Sequence, residues 1–335
     1  LVRVTLHSCN EPRKLADVLT PFDFVRIMDL GTYCLRPSTV EVLVAAFPHL
    51  RVLRVMEDDG SLWDAGRTWW RELLGLELGI ASRSLPAWVC ELEGLRRLHI
   101  YPRANGSIQV LPECLGNLSG LVDLNVVGNN LTGVASLPSS LGNLQELRSF
   151  DAFENGRYSN EDSVCPDTQV AGRDGCVPGY VARADGTEPV WRCPGAGWQL
   201  RLEDPLLPWW RWRKIEKFHI DANFIFGHIP DNLPDLWPHL RSLDLHDMQL
   251  RGPLPSSLSR LTNLSQLQVQ LNDLECGVGE EDAVEKLFRH PKISTLNLDA
   301  NPRLCGCAPA QTRPYLAAQI GQTRINTGCG TWAEL

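Results

Sequence analysis

The amino-acid sequence predicts an α/β repeat fold: a solenoid of about eleven coils, with a parallel β-sheet on the concave face and short helices or 3₁₀ turns on the convex side. The main observation is that the pattern L-x-x-L-x-L-x-x-N recurs along the 335 residues, and nine of the ten intervals between successive copies are 21 to 29 residues long. A second observation is that Gly and Pro follow several copies at fixed offsets. A coil of this length cannot bury its own apolar side, so stacked neighbours must form the core.

The copies differ in how closely they follow the pattern. Clear copies begin at Leu121, Ile215, Leu264 and Ile293, looser ones at Leu95, Leu147 and Leu240, and degenerate ones at Leu1, Phe22, Leu50 and Leu73. In each copy, alternate apolar residues of a short strand point inward, and neighbouring strands lie about 4.8 Å apart in a parallel sheet. The Asn at the end turns into the coil, where it is expected to bond backbone groups left open by the bend.

Between the strands, the middle copies carry a second pattern. Leu131-x-Gly133 precedes Leu137-Pro138, and comparable runs are Ile225-x-Gly227-His228-Ile229-Pro230 and Leu250-x-Gly252-Pro253-Leu254-Pro255. Glycine permits a turn, and proline opens a short helical or 3₁₀ segment. These coils resemble the plant-type extracellular leucine-rich repeat of receptor-like protein ectodomains and polygalacturonase-inhibiting proteins.

The resemblance covers residues 111–155 and 215–329, and Asn301-Pro302-x-Leu304-Cys305-Gly306 resembles the entry to the family's C-terminal cap. Before Leu95 the coils resemble intracellular resistance-protein repeats as much as secreted ones, and the family's paired-cysteine N-terminal cap is not visible. The sequence therefore divides into irregular repeats at 1–94, regular repeats at 95–155, an island at 156–208, regular repeats at 209–304 and a cysteine-containing cap at 305–335.

One interval between copies is 68 residues long, which is about one coil plus some 43 additional residues. The island lies in this interval and contains Cys165, Cys176 and Cys193. Long structured loops in compact proteins often carry function, and the resemblance implies an island that contacts a ligand. The alternative is a long loop that is held by a disulfide and has no function of its own. Beside the island, Trp209, Trp210 and Trp212 stand among basic residues; they predict stacking on sugars or on a partner chain, or else a cover for the adjacent coil.

Composition indicates the compartment and the class of partner. The net charge of −8 is spread along the chain, which disfavours nucleic acid and is neutral about protein or glycan partners. Eleven cysteines and four Asn-x-Ser/Thr sequons, at Asn105, Asn117, Asn130 and Asn263, predict a secreted or cell-surface glycoprotein. The sequence contains no run of 18 apolar residues, so it predicts no membrane-spanning helix in these residues. Because the sequence starts at Leu1 inside a repeat, it is interpreted as a processed or incompletely covered chain.

The repeat register predicts which cysteines pair. Cys276 and Cys305 each lie four residues after the Asn of adjacent coils, so they are near enough for a disulfide. The other candidate pairs are Cys90 with Cys114, Cys9 with Cys34 and Cys307 with Cys329. The three island cysteines then leave one over, as a free thiol or a bond to another chain. No cysteine spacing fits a zinc site.

The outward residues of the strands predict the binding face. These candidates are His99, Tyr101, Asn125, Asp151, Phe153, His219, Asp221, Asp244, His246 and Gln268. Isolated aromatic residues amid polar ones suit a recognition surface. In the second coil the same reasoning places Arg26 and Met28 outward.

Four of these residues allow a further interpretation. His219, Asp221, Asp244 and His246 fall on adjoining coils, where they are of the right type to bind a divalent metal or run acid–base chemistry. Solvated charges and cross-strand Asp–His pairs are the ordinary outcome on an open sheet, so no metal and no cofactor is expected.

The sequence contains no nucleotide-binding loop, zinc-protease or serine-hydrolase motif. It therefore predicts a non-catalytic extracellular module that binds a protein, peptide or polysaccharide through the concave face and the island. The alternatives are a structural subunit of an extracellular matrix or surface filament, an enzyme whose catalytic domain lies outside these residues, and a cytosolic sensor with free thiols.

Overall fold

The computed structural model describes residues 2–6, 24–30, 37–55, 72–80, 82–102, 107–131, 136–155, 177–179, 190–192, 200–223, 225–277, 283–309 and 316–327. Within these residues the chain is a leucine-rich-repeat solenoid, and one parallel sheet of twelve strands runs through the stack. In spatial order its strands are β1 Val2–Leu6, β2 Val25–Leu30, β3 Val52–Val55, β4 Gly75–Ile80, β5 Arg97–Pro102, β6 Asp123–Asn125, β7 Ser149–Asp151, β11 Lys217–His219, β13 Ser242–Asp244, β15 Gln266–Gln268, β17 Thr295–Asn297 and β19 Ala317–Gln319.

Eleven of these strands coincide with the eleven predicted coils, and the twelfth, β19, corrects that number. It lies in the segment interpreted as a cap, yet Ala317 and Gln319 pair with Thr295 and Asn297 in the register of the other strands, which form the successive rungs of the sheet. The sequence did not reveal this coil because Ala318 stands where the preceding copy has the inward Leu296.

The second strand contains an irregularity that overturns two expectations. The register between β1 and β2 shifts after Val25, so Asp29 pairs with Thr5 and Arg54. Met28 is consequently fully buried rather than outward, and Asp29 takes the outward position expected for Arg26. A bulge of one residue inverts the facing of all residues after it, because side chains alternate along a strand.

The inward leucines form one continuous core. The central residue of most strands is completely buried, as at Leu53, Leu76, Leu98, Leu124, Phe150, Phe218, Leu243, Leu267 and Leu296. Since each of these side chains contacts its equivalents on the neighbouring rungs, the core extends along the whole stack rather than closing in one place.

The convex side consists of short helical segments. The α-helices described are α1 Pro37–Ala46, α2 Leu233–Leu236 and α3 Ala283–Arg289, and the 3₁₀ segments are Ala87–Glu91, Glu113–Asn117, Ser139–Asn143, Pro208–Arg211 and Ser256–Arg260. Four of the 3₁₀ segments follow directly on a proline, which confirms the predicted role of that residue. A Cβ on Gly116 would lie 2.3 Å from the backbone oxygen of Ser140, so adjacent coils pack here at backbone contact distance.

A second, smaller parallel sheet flanks the first. Its strands are β10 Leu200–Arg201, β12 Ile225–Gly227, β14 Gln249–Pro253 and β16 Asp273–Glu275. Residues 200–208 therefore belong to a coil, through β10 and the entry to the 3₁₀ segment, and not to the island to which the sequence assigned them. Of the island itself, the structure describes β8 Val177–Gly179 paired antiparallel with β9 Val190–Arg192.

The cysteines of neighbouring coils form two of the predicted disulfides, Cys90–Cys114 and Cys276–Cys305. Cys307, which lies in β18 Cys305–Ala308, is also disulfide-bonded, and β18 pairs in parallel with β20 Arg324–Thr327. The remaining candidates lie outside the described residues: Cys9, Cys34, Cys165, Cys176, Cys193 and Cys329. In the described part of the chain, no helix is long and apolar enough to cross a membrane.

A ladder of buried asparagines supports the bend after each strand, as predicted. Its members, all at most 4% exposed, are Asn129, Asn155, Asn223, Asn272 and Asn301. Each side-chain amide donates to a carbonyl of its own coil and to one of the preceding coil; for Asn272 these are Val269 and Leu245, at 3.1 and 2.9 Å. Each side-chain oxygen accepts a backbone N–H, which for Asn272 is that of Leu250. Met248 interrupts the ladder at the equivalent position between Asn223 and Asn272.

The three tryptophans beside the island belong to the core, which corrects their interpretation as a binding surface. Trp209 and Trp212 are fully buried, and Trp210 is 8% exposed. Pro208 precedes Ile215 by seven residues, whereas Pro138 precedes Leu147 by nine, so this coil has a shorter convex segment than its neighbour. Large aromatic side chains fill the space that two additional residues would otherwise occupy, as close packing requires.

Candidate functional site

The concave face brings most of the predicted site residues into one row. The sheet register pairs His99 with Asn125, Asn125 with Asp151 and Asp151 with His219. It continues from His219 to Asp244 and from Asp244 to Gln268. These side chains therefore form a strip across six consecutive rungs, even though 65 residues lie between β7 and β11 in the chain.

A neighbouring row was missed by the sequence analysis. It consists of the residues two positions earlier on each strand: Arg97, Asp123, Ser149, Lys217, Ser242 and Gln266. The signal was present, because residues two apart on a strand lie on the same face. The histidines and aspartates occur in three groups along the face, and this row supplies partners in the first two of them.

The first group is built around Asp123. Its carboxylate lies 3.0 Å from His99 Nε2 and accepts a 3.0 Å bond from the Arg97 guanidinium. Tyr101 Oη lies 3.2 Å from His99 Nδ1, and the two rings meet edge to face. Burial favours a raised pKa of Asp123, but the hydrogen bond and charge of His99, with the charge of Arg97, outweigh it and hold the pKa below its ordinary value.

This group predicts an acid-sensitive contribution to stability. A carboxyl group whose pKa is lowered by folding stabilises the protein above its unfolded pKa, and that contribution is lost as the pH falls through the folded pKa. We expect the urea midpoint of the wild type to fall more steeply between about pH 5 and pH 3 than that of Asp123→Asn, so the two midpoints converge in acid. Parallel midpoints over this range would mean that the His99–Asp123 pair adds nothing to stability.

The second group centres on Asp151, which is 4% exposed. Lys217 Nζ lies 2.8 Å from its Oδ1, and His219 Nδ1 lies 3.3 Å from the same oxygen. Burial favours a raised pKa of Asp151, but the hydrogen bonds from His219 and Lys217 keep the pKa below its ordinary value. On its other side, His219 Nε2 lies 2.7 Å from Ser242 Oγ, which in turn donates to Gln266 Oε1 at 3.0 Å.

The side chains of Asp151, His219 and Ser242 are linked in the same order as the residues of an acyl-transfer triad, but their surroundings differ from those of such a site. Acyl transfer needs hydrogen-bond donors aimed at the developing oxyanion. The backbone N–H groups of Arg241 and Ser242 both donate to Glu216 O instead. Lys217 also neutralises the carboxylate that would orient the histidine. The arrangement therefore fixes the His219 ring rather than activating Ser242.

The third group consists of Asp221, Asp244 and His246. His246 Nδ1 lies 2.6 Å from Asp244 Oδ1 and 3.5 Å from Asp221 Oδ2, and Gln268 Nε2 donates to Asp244 Oδ2 at 2.6 Å. Both aspartates are only 5% exposed, which corrects the expectation of solvated charges, whereas the expected cross-strand Asp–His contacts are present. Burial and the charge of Asp244 raise the pKa of Asp221 to about 7. Burial lowers the pKa of His246, but its bond to Asp244 and the nearby carboxylates raise it overall.

The other predicted residues are partly exposed on the same face. Tyr101 and Phe153 are half-buried aromatic side chains in the coils of β5 and β7, and Asn125 Oδ1 accepts the backbone N–H of Val127. Asn117, Asn130 and Asn263 lie outside the strands of the concave sheet, so glycans at these sequons would leave the face open. Asn105 lies outside the described residues.

A groove of about 660 Å³ lies along the second sheet, away from the concave face, and no sequence signal pointed to it. Arg201, Phe226, His228 and Arg251 are among its lining residues. The side chains of Arg201 and His228 both contact Glu203, so their charges are compensated within the protein.

The stacked coils, the parallel concave sheet and the asparagine ladder define a leucine-rich-repeat protein. No protein-family model and no curated protein matches the chain. Among solved structures the chain is similar to a TDR receptor, with a TM-score of 0.54 and 18% identity over 90% of this chain and 47% of that one. It is likewise similar to the plant peptide hormone receptor RGFR1 in complex with RGF2, with a TM-score of 0.51 and 19% identity over 89% and 52% of the two chains.

A third similar structure is the ectodomain of the Arabidopsis receptor kinase HAESA in complex with an N-terminally extended IDA peptide hormone, with a TM-score of 0.53 and 18% identity over 86% and 44% of the two chains. The chain thus spans about half the length of these three structures. At these identities the similarity establishes the fold.

Proposed function

We propose that this chain is a non-catalytic, extracellular recognition module of the plant type, which binds a peptide or a protein segment through the concave face between β5 and β15. The observation that carries the proposal is the strip of partly exposed histidines held in place by buried or half-buried aspartates. Each imidazole is fixed by a carboxylate on its own or a neighbouring strand, so little side-chain entropy is lost when a ligand binds. Tyr101 and Phe153 supply the aromatic anchors that such faces use.

Two features favour a peptide over a polysaccharide. Sugar-binding faces commonly stack exposed aromatic rings on the ligand, and the three tryptophans that best fitted this role are buried. The strip offers donors and acceptors on successive rungs about 4.8 Å apart, so an extended chain laid across the strands, which rises about 3.3 Å per residue, would meet a polar group about every one and a half residues. The disulfides Cys90–Cys114 and Cys276–Cys305 support an oxidising compartment. The island, most of which lies outside the described residues, is included in the proposal as a second contact.

A peptide-display selection on the intact chain tests this function. Selected peptides should bind Tyr101→Ala and His219→Ala at least about tenfold more weakly than the wild type, which corresponds to about 1.4 kcal/mol. The matched control is Arg260→Ala, which removes an exposed ion pair with Asp235 on the convex side and should bind like the wild type.

Circular dichroism of each variant establishes that its fold is retained before affinities are compared. Peptides that bind all three variants as tightly as the wild type would contradict the proposal. Failure to select any peptide, together with concentration-dependent self-association of the chain in sedimentation velocity, would favour the structural-subunit interpretation instead.

A further inference from the structure

The group formed by Asp221, Asp244 and His246 differs from the other two groups on the concave face. Asp123 is paired with Arg97, and Asp151 is paired with Lys217, so each of those carboxylates has a permanent cation beside it. Among the described residues, neither Asp221 nor Asp244 has a Lys or Arg within ion-pair distance, and His246 is the only cationic partner of both. Two carboxylates therefore share one imidazole.

Burial makes this arrangement costly. Asp221 and Asp244 are each 5% exposed, so neither like charge is well screened by water. Asp221 Oδ2 is directed at His246 Nδ1 from 3.5 Å, too far for a good hydrogen bond, and no side chain of the described residues donates a hydrogen bond to it. The His246 proton is already engaged by Asp244 at 2.6 Å. The Asp221 carboxylate also accepts a hydrogen bond from its own backbone. Among the described residues, Asp221 is thus a buried carboxylate without a strong side-chain partner.

We propose that Asp221, Asp244 and His246 bind a divalent transition-metal cation such as Zn²⁺. One ligand atom from each residue lies within 4.8 Å of the others. Donors around a cation with bonds of about 2.1 Å are separated by about 3.0 to 3.5 Å, so the Asp221–His246 separation already fits. The Asp244–His246 pair, now 2.6 Å apart, needs to open by about 0.4 to 0.9 Å as its shared proton leaves. The inference goes beyond the recognition function and does not depend on it.

The donor set favours this class of cation. One imidazole and two carboxylates suit zinc and its first-row neighbours, whereas Ca²⁺ needs six to eight oxygen ligands and Mg²⁺ a near-octahedral oxygen shell. The His246 side chain is 28% exposed, so the site opens onto the concave face and leaves room for water to complete the coordination.

Calorimetric titration of the chelator-treated, intact chain with ZnCl₂ tests the proposal, after any free thiols have been blocked by alkylation. We expect one Zn²⁺ per chain, and affinity reduced at least about 100-fold in both Asp221→Asn and His246→Ala. His228→Ala is the matched control, because it removes a 54% exposed imidazole that lies outside the concave face and contacts Glu203; it should bind Zn²⁺ within twofold of the wild type. Ca²⁺ should bind far more weakly than Zn²⁺.

Thermal unfolding distinguishes a metal ligand from a residue needed only for folding. Without metal and at about pH 8, where Asp221 is mostly ionised, Asp221→Asn should raise the melting temperature above that of the wild type, because it removes one of two neighbouring buried charges. With Zn²⁺, the wild type should gain stability while the variant does not. The visible spectrum of the Co²⁺-loaded wild type should show bands that are lost in His246→Ala.

The proposal is overturned if the wild type binds no Zn²⁺ at millimolar concentration, or if the two site variants bind it as tightly as the wild type. It is also overturned if Asp221→Asn lowers the melting temperature and leaves the Zn²⁺ response unchanged.

Discussion

Replacing Trp212 with alanine is expected to lower the free energy of unfolding by about 3–5 kcal/mol, the largest effect of any single substitution considered. The Trp212 side chain is fully buried and meets Phe150 edge to face, with ring centroids 5.0 Å apart. Its indole N–H donates a 2.8 Å hydrogen bond to Leu141 O in the preceding coil. Alanine would leave a large cavity and would remove one of the two donors to Leu141 O, which also accepts the N–H of Leu144.

The effect should extend beyond one contact, because the aromatic cluster joins the two coils that flank the island. Phe150 also packs on Phe218, and Phe218 on Trp237, at centroid distances of 5.8 and 4.5 Å. Stability in a solenoid depends on the interfaces between neighbouring repeats, so weakening this one should also reduce the cooperativity of unfolding.

Urea unfolding followed by circular dichroism measures the effect. Leu206→Ala is a suitable control from the same coil, since Leu206 is 77% exposed and its removal should change stability by less than about 0.5 kcal/mol. A loss below about 1 kcal/mol for Trp212→Ala would show that the cluster does not hold these coils together.

The substitution Asn223→Ala is expected to cost about 2–4 kcal/mol, because several buried backbone groups would lose their partner. The Asn223 amide donates to Ala152 O at 2.9 Å and to Ile220 O at 2.6 Å, and its Oδ1 accepts the N–H of Asn155 at 2.9 Å. The bonds with Ala152 O and with the Asn155 N–H join the coil of β7 to the coil of β11. Asn223 is therefore the ladder residue that connects the rungs on the two sides of the island.

Hydrogen exchange gives a residue-specific measurement of this role. The Asn155 amide should exchange markedly faster in Asn223→Ala, whereas the Leu250 amide, which bonds Asn272, should change much less. Met248→Leu serves as the control, because Met248 occupies the ladder position without using polar atoms and a volume-conserving change there should cost less than about 1.5 kcal/mol. Unchanged exchange at Asn155 would contradict the account.

The sequence was sufficient to predict the positions of the concave strands. Their inward leucines recur with a spacing that only stacking can bury, and the ladder asparagines mark the same bend in each coil, so local pattern and fold agree. The disulfides Cys90–Cys114 and Cys276–Cys305 followed from the same register. The pattern failed where a coil departs from it: the bulge after Val25 reverses the facing of Met28, and β19 carries Ala318 in place of an inward leucine.

The environment of the outward residues was harder to predict. Alternation places Asp221 and Asp244 on the concave face, but their burial depends on the side chains of neighbouring rungs, which no local pattern encodes. Asp123 was missed because only two outward positions per strand were considered, although the strands present three. The sequence left two interpretations of the tryptophans open, a binding surface and a cover for the adjacent coil, and their burial agrees with the second.

Hydroxyl-radical footprinting of the intact chain, with and without a selected peptide, tests the central claim of recognition by the concave face most directly. The account predicts that His99, Tyr101, Phe153 and His246 lose reactivity severalfold in the complex, while Leu206 and the convex residue Leu236 keep theirs. Protection confined to residues outside the concave sheet, with the four concave side chains as reactive as in the free protein, would contradict it.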